Sequence, residues 1–311
     1  VLHPEMQLLL VARKLRGGKP LRGQTPPESR RAMHVEAVRF SSTSPALAGV
    51  YDRTIPTRSG TLRARHYVPL QGDGAPLMVY YHGGGFVLGD LDTHDEPCRV
   101  LCAHAGVHVL SIDYRLAPEH QFPAGLEDAL DAFEHARKNA ESLGASPFRV
   151  GVGGDSAGAN LATVVSRLTS QRGEPSPAFQ LLIYPVTDSF EHKPSRALFA
   201  QGLMLEQADI DWFDDAYVGA DKALRADPRV SPLRCDDLAG VCPALVYTAE
   251  LDPLRDEGEA YAEALARAGV ATKQRRFDGL IHAFINVVGV SPAARRALVS
   301  IAEDLRVLSR A

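Results

Sequence analysis

The sequence predicts an α/β protein, a mostly parallel sheet of about eight strands covered by helices on both faces and carrying a helical cap. Three observations lead there. From about residue 75 onward, short apolar runs alternate with helical patterns, the texture of parallel strands buried on both faces. A β-hairpin pattern precedes this alternation, and one long insertion without strand signals interrupts it. The chain has 311 residues, 45% hydrophobic and 23% charged, which is enough to enclose such a core.

The first fifty residues are rich in Arg, Pro and Ser and carry a helix over 4–15, with Pro4 suited to a first helical turn. Residues 50–56 and 61–68 flank a Ser59-Gly60 turn and read as a hairpin, which gives the sheet an antiparallel edge. Further strands are expected at 77–81, 107–112, 148–152, 181–184, 244–247 and 271–277. Helices are expected at 93–105, 124–139, 157–169, 256–268 and 292–308. Between 185 and 241 runs a polar, helix-leaning insertion with the single tryptophan, Trp212. An insertion of that length reads as a lid or cap.

Charge and composition exclude several classes. The formal net charge is -4 and no long basic run occurs, which speaks against a nucleic-acid or anionic-membrane surface. No stretch approaches the ~20 apolar residues of a membrane span. Arg13, Lys14 and Arg16 follow the apolar patch 8–12 instead of preceding it, the reverse of a secretory signal, so a cytoplasmic protein is expected. Cys98 and Cys102 lie four apart in a helical stretch with His94 and His104 nearby. That spacing fits no standard zinc pattern, and packing or free thiols is the expectation for all four cysteines, with Cys235 and Cys242. Arg234, Asp236 and Asp237 read as solvated surface.

Gly154-Asp155-Ser156-Ala157-Gly158 fits G-x-S-x-G between a strand and a helix. This is the setting in which a sharp, strained turn exposes a nucleophilic serine. His82-Gly83-Gly84-Gly85-Phe86 follows directly on the strand 77–81. Its glycines let backbone amides converge on an oxyanion, together with the amide of Ala157. His82 is read as holding that loop by hydrogen bonds. Asp252 lies just beyond the strand 244–247, where Pro253 disfavours helix, and His282 follows the strand 271–277. Ser156, Asp252 and His282 thus occur beyond strand ends in the order of a serine-hydrolase triad, in which His282 is general base and acid and Asp252 orients it. No metal or organic cofactor is needed.

With Asp113-Tyr114-Arg115-Leu116-Ala117-Pro118-Glu119-His120 and Asp252-Pro253-Leu254-Arg255-Asp256, these blocks make the chain resemble the bacterial hormone-sensitive-lipase-like carboxylesterases of the α/β-hydrolase superfamily. The resemblance implies a serine carboxylesterase for short- to medium-chain esters, with an oxyanion hole from Gly83, Gly84, Gly85 and Ala157, where Gly83 supports the turn. It implies a cap built from residues 1–50 and 188–241 over a catalytic domain of 51–187 and 242–311. It also suggests a homodimer through the edge strand 271–277, although Lys273, Arg275 and Arg276 equally fit an edge guarded against pairing.

The substrate pocket is expected from Phe86, Tyr184, Leu203, Met204, Trp212, Phe213 and Ile281, with Tyr217 alongside. The apolar residues of the insertion fit its own packing equally well. Arg115 and Glu119 are expected as a buried pair behind the site, and the bonds before Pro118 and Pro123 as candidates for cis. Rival readings are an amide or formamide hydrolase with the same triad, a non-catalytic ligand-binding relative of the gibberellin-receptor kind, and an interfacial lipase. The acidic group Asp209, Asp211, Asp214 and Asp215 points away from the lipase, toward soluble substrates.

Overall fold

The computed structural model describes residues 1–17, 21–42 and 44–311; residues 18–20 and 43 of the N-terminal segment lie outside the described residues. Its sheet has eight strands: β1 (Gly49–Thr57), β2 (Gly60–Val68), β3 (Ala75–Tyr81), β4 (His108–Ile112), β5 (Ala145–Asp155), β6 (Gln180–Ile183), β7 (Ala244–Leu251) and β8 (Thr272–Ile281). They run in the order β1-β2-β4-β3-β5-β6-β7-β8. Only the hairpin is antiparallel: β1 on β2, and β2 on β4. The remaining strands are parallel, so their C-terminal ends open on the same side.

Alternation along each strand divides the core in two. Leu77, Val79 and Tyr81 of β3 join one apolar cluster, shared with α4 (Ala124–Asn139), α5 (Ala157–Gln171) and α8 (Arg255–Arg267). Met78 and Tyr80 point to the other, shared with α3 (Asp95–Ala105) and α9 (Pro292–Leu308). Each fully buried Leu or Val contributes roughly 1.5–3 kcal/mol, which makes the two-sided sheet the main source of stability. Cys98 and Cys102 sit in the second cluster as free thiols, and burial pushes the Cys102 thiol up to about 12.

The structure departs from the sequence reading in instructive places. Among the described residues of the first fifty there are two α-helices, α1 (Pro4–Arg16) and α2 (Pro26–Phe40), where one was expected. Thr25 and Glu28 close a capping box ahead of α2, and Pro26 occupies its first turn. The last strand does not stop at Phe277 but runs on to Ile281. Gly279 (φ 69°) sits in a bulge, where the register slips between the pairs Ala249↔Phe277 and Leu251↔Ile281. The bulge is also an anchor, because Gly279 donates to Glu250 (2.6 Å) and accepts from the His3 amide (2.9 Å). The insertion folds as α6 (Pro194–Leu198), α7 (Gln207–Val218) and short 3₁₀ turns. Both candidate X-Pro bonds, Ala117-Pro118 and Phe122-Pro123, are cis.

At the antiparallel seam two buried histidines share a hydrogen bond. His108 Nε2 donates to the Gly72 carbonyl (2.6 Å), which leaves its Nδ1 to accept from His66 Nε2 at 2.9 Å. Burial, reinforced by repulsion from His108, pushes the His66 imidazole down to about 4, and burial lowers His108 as well. As pH falls, the unfolded chain takes up these protons first. The stability the neutral pair contributes is therefore complete above about 6.5 and is lost progressively toward about 4. A His66→Leu variant is expected to lose less stability than the parent between these limits. The shift from 6.5 to about 4 corresponds to a difference of roughly 3 kcal/mol. Urea denaturation at a series of pH values measures it, and parallel pH profiles would contradict the assignment.

Candidate active site

Two pairs of neighbouring strand ends build the site. β3 and β5 are hydrogen-bonded with Tyr81 opposite Gly154, so the glycine loop after β3 and the turn after β5 emerge side by side. β7 and β8 end with Leu251 opposite Ile281, which brings Asp252 and His282 out together. Ser156 occupies the turn between β5 and α5 with φ 54° and ψ -119°, a conformation that costs a residue with a Cβ of order 1–3 kcal/mol. The turn has no spare room. A Cβ on Gly158 would lie 1.9 Å from the Tyr81 carbonyl oxygen.

The three side chains form a continuous relay. His282 Nε2 lies 3.0 Å from Ser156 Oγ, and His282 Nδ1 lies 2.7 Å from Asp252 Oδ2. Asp252 is sealed from solvent, and its other oxygen accepts the Leu254 amide at 2.8 Å. At that distance Nδ1–H donates to the carboxylate, which leaves Nε2 as acceptor for the serine hydroxyl. Tyr184 leans its ring on His282, with centroids 4.6 Å apart.

Beside the relay stands the glycine loop. Gly83 is spent structurally: its amide donates to Asp155 Oδ1 at 2.9 Å, so it ties the turn and offers no free donor to an oxyanion. Among the described residues nothing accepts from the amides of Gly84 and Gly85, and Ala157 opens α5, where helical amides lack an intrahelical acceptor. Asp155 also accepts from Tyr80 Oη (2.7 Å) and lies 3.4 Å from His94 Nε2. Burial alone would raise its carboxyl, but His94 and these donors outweigh burial and hold it below its ordinary value. His82 is fully buried, 2.8 Å from the Gly83 carbonyl and stacked on Tyr114, and burial pushes it down to about 4. It is a neutral strut.

Comparison with known proteins agrees with this geometry. A family model described as the alpha/beta hydrolase fold matches residues 78–286. Carboxylic ester hydrolase LipN of Mycobacterium tuberculosis is 45% identical over 308 residues, covering 96% of this chain and 82% of that protein. The chain belongs to the hormone-sensitive-lipase-like α/β-hydrolases. Ethyl acetate hydrolase of Pseudomonas putida is 38% identical, with 97% and 96% of the two chains covered. Among solved structures, an ester hydrolase from the metagenome of Lake Arreo superposes with a TM-score of 0.94 at 42% identity, covering 99% of each chain. That structure contains a bipyridine phosphonate derivative. An esterase of Pyrobaculum calidifontis matches with a TM-score of 0.93 at 38% identity over all of both chains.

In this α/β-hydrolase the relay opens on a cavity of about 1230 Å³. Phe86, Leu203, Met204 and Phe213 line it as expected. Tyr184, Trp212 and Ile281 do not. Tyr184 and Ile281 are completely buried in the core beneath His282, and Trp212 is half-buried against the other core cluster. Sequence reasoning missed Met33 and Phe40 of α2, which form the facing wall. The signal for them was the Thr25-Pro26-Pro27-Glu28 cap ahead of α2.

The acidic group divides: Asp211 and Asp215 are exposed, while Asp209 and Asp214 are buried. Arg22 binds Asp209 (2.8 Å), Lys222 and Arg225 bind Asp215, and Asp214 is buried beside the cavity with its carboxyl pushed up to about 6 by that burial. Arg115 and Glu119 are not a pair. Arg115 binds Asp128 (2.8 Å), while the half-exposed Glu119 reaches Arg30. His34, Asp90 and Asp92 could hold a metal ion by proximity, within 4.8 Å of one another. Asp92 is already bound to Arg65 and Asp90 to the Thr93 amide, which fits a structural role.

Replacing Gly158 with Ala is expected to cost more than the roughly 1–3 kcal/mol usual for overpacking, because the obstructing atom is backbone. Thermal unfolding measures the loss, and a variant as stable as the parent would contradict the packing described.

Proposed function

We propose that this chain is a serine carboxylesterase that hydrolyses short- to medium-chain carboxylic esters through an acyl-enzyme on Ser156. The observation that carries the proposal is the unbroken relay Asp252–His282–Ser156, facing free amides at the floor of a large, largely apolar cavity. Ser156 Oγ attacks the ester carbonyl as His282 Nε2 takes its proton. Asp252 holds the ring tautomer and stabilises the imidazolium. The carbonyl oxygen becomes an oxyanion held by the amides of Gly84, Gly85 and Ala157. His282 then protonates the departing alcohol, and water repeats the sequence in reverse to release the acid and restore Ser156.

The choice of ester over amide leans on the relatives, whose names are those of ester hydrolases. In this reading α1, α2 and the helices of 188–241 act as the cap and set acyl preference. Pairing of two β8 edges is the proposed route to a homodimer, with Lys273 and Arg276, engaged by Asp304 and Glu259, flanking the edge. A cytoplasmic enzyme is the matching location, in keeping with four cysteines that form no disulfide.

The Ser156→Ala variant is expected to lose turnover of p-nitrophenyl esters, and Asp252→Asn to lose on the order of 10⁴-fold through the wrong tautomer. Matched ester and amide substrates separate the two hydrolase readings: the ester is turned over faster if the proposal holds, and a faster amide would replace it. Retained ester activity in the Ser156 variant would refute the nucleophile.

A further inference from the structure

The block 113–120 stood out in sequence, yet no step of the reaction uses it. Its surroundings give it a purpose. The loop that presents the Gly84 and Gly85 amides is conformationally expensive, because Gly84, Gly85 and Phe86 have φ values of 121°, 61° and 63° in succession. Phe86 carries a side chain in the left-handed region, and such a conformation persists only where its surroundings enforce it. Within the loop, Val87 and Leu88 donate to the Gly84 carbonyl. From the block, the Ala117 amide donates to the Phe86 carbonyl at 2.9 Å, and Tyr114 Oη donates to the His82 carbonyl at 2.8 Å.

The remaining tie comes from the N-terminal helix α2. One guanidinium, that of Arg30, joins the loop to the block. Its Nε donates to the Val87 carbonyl (2.8 Å) and its Nη2 to the Ala117 carbonyl (3.0 Å). The fork closes on both oxygens of Glu119, at 2.9 and 2.6 Å. The hydrogen bonds from Arg30 hold the Glu119 carboxyl below its ordinary value. Glu119 therefore aims the guanidinium, and the guanidinium fastens the segment immediately after the oxyanion amides. A planar fork with several donors can hold three acceptors at once, which a lysine ammonium on its flexible stem cannot reproduce.

We infer that Arg30, oriented by Glu119, is a positioning residue for the oxyanion loop, so that α2 supports catalysis as well as walling the pocket. The inference rests on the esterase reading. Arg30 touches neither substrate nor the reacting atoms; it keeps the amides of Gly84 and Gly85 where the tetrahedral intermediate needs them. A displacement of about 1 Å in such groups costs on the order of 10²-fold in rate.

The test compares the parent with Arg30→Met, Arg30→Lys and Glu119→Gln. Steady-state hydrolysis of a p-nitrophenyl ester is measured beside inhibition by a trifluoromethyl ketone and by the alcohol of the same carbon skeleton. The ketone forms a hemiketal with Ser156 whose oxyanion needs the loop, whereas the alcohol only fills the pocket. Arg30→Met is expected to lower kcat on the order of 10²-fold with KM little changed. Ketone affinity should weaken in step while alcohol affinity holds. Arg30→Lys and Glu119→Gln should show smaller losses of the same pattern, and they carry the test if Arg30→Met does not fold. Parent-like kcat and ketone affinity in all folded variants would overturn the inference, as would equal weakening of ketone and alcohol. A parent that hydrolyses no ester and binds no ketone overturns the esterase reading itself, and the inference with it.

Discussion

One buried carboxylate holds the two halves of the site in register. Asp155 is the last residue of β5, directly before Ser156, and it reaches back to the Gly83 amide and to Tyr80 on β3. Tyr184, from the end of β6, approaches the same carboxylate at 3.4 Å and rests its ring on His282. The nucleophile turn, the glycine loop and the histidine are thus referred to a single charged group, which His94 Nε2 approaches at 3.4 Å. Such a network is worth keeping only when its members are satisfied, because an unpaired buried carboxylate is costly. That requirement explains why a loop of consecutive glycines, unstable on its own, keeps one conformation.

The parallel sheet supplies the coarse placement that this network refines. Neighbouring parallel strands release their loops at the same level, and four such ends provide the glycine loop, Ser156, Asp252 and His282. The outer helices act on a second scale. Phe213 of α7 lies against Gly85, and Tyr217 stacks on Phe86 with centroids 3.8 Å apart, while Arg30 of α2 grips Val87 from the other side. Pocket walls and glycine loop therefore share residues, so the helices that line the cavity also pack on the loop.

How much of this was legible in the sequence depended on the range of the interaction. Features with a local cause read directly. The helices 124–139 and 292–308 begin and end where their apolar periodicity does. The order Ser156, Asp252, His282 was visible because each follows a strand, and the structure brings the three within hydrogen-bonding distance. Features set by tertiary direction did not read. The strand expected to end at 277 runs on to Ile281, because β7 continues to pair beyond the bulge at Gly279. Tyr184 and Ile281 look like pocket residues, but the chain turns them under His282. Gly83 was set apart from Gly84 and Gly85 only by the family resemblance, and it is the position of Asp155 that uses its amide. Glu119 found its partner 89 residues away on α2, a separation no local pattern encodes.

The central claim is that hydrolysis passes through an ester of Ser156. Acid-quenching the enzyme milliseconds after mixing with a p-nitrophenyl ester, followed by intact-mass and peptide mass spectrometry, tests it most directly. The account predicts one acyl group per chain on the peptide that contains Ser156. Turnover without an adduct would count against it only if deacylation were shown not to be faster than acylation; an acyl group on any other residue would contradict it outright.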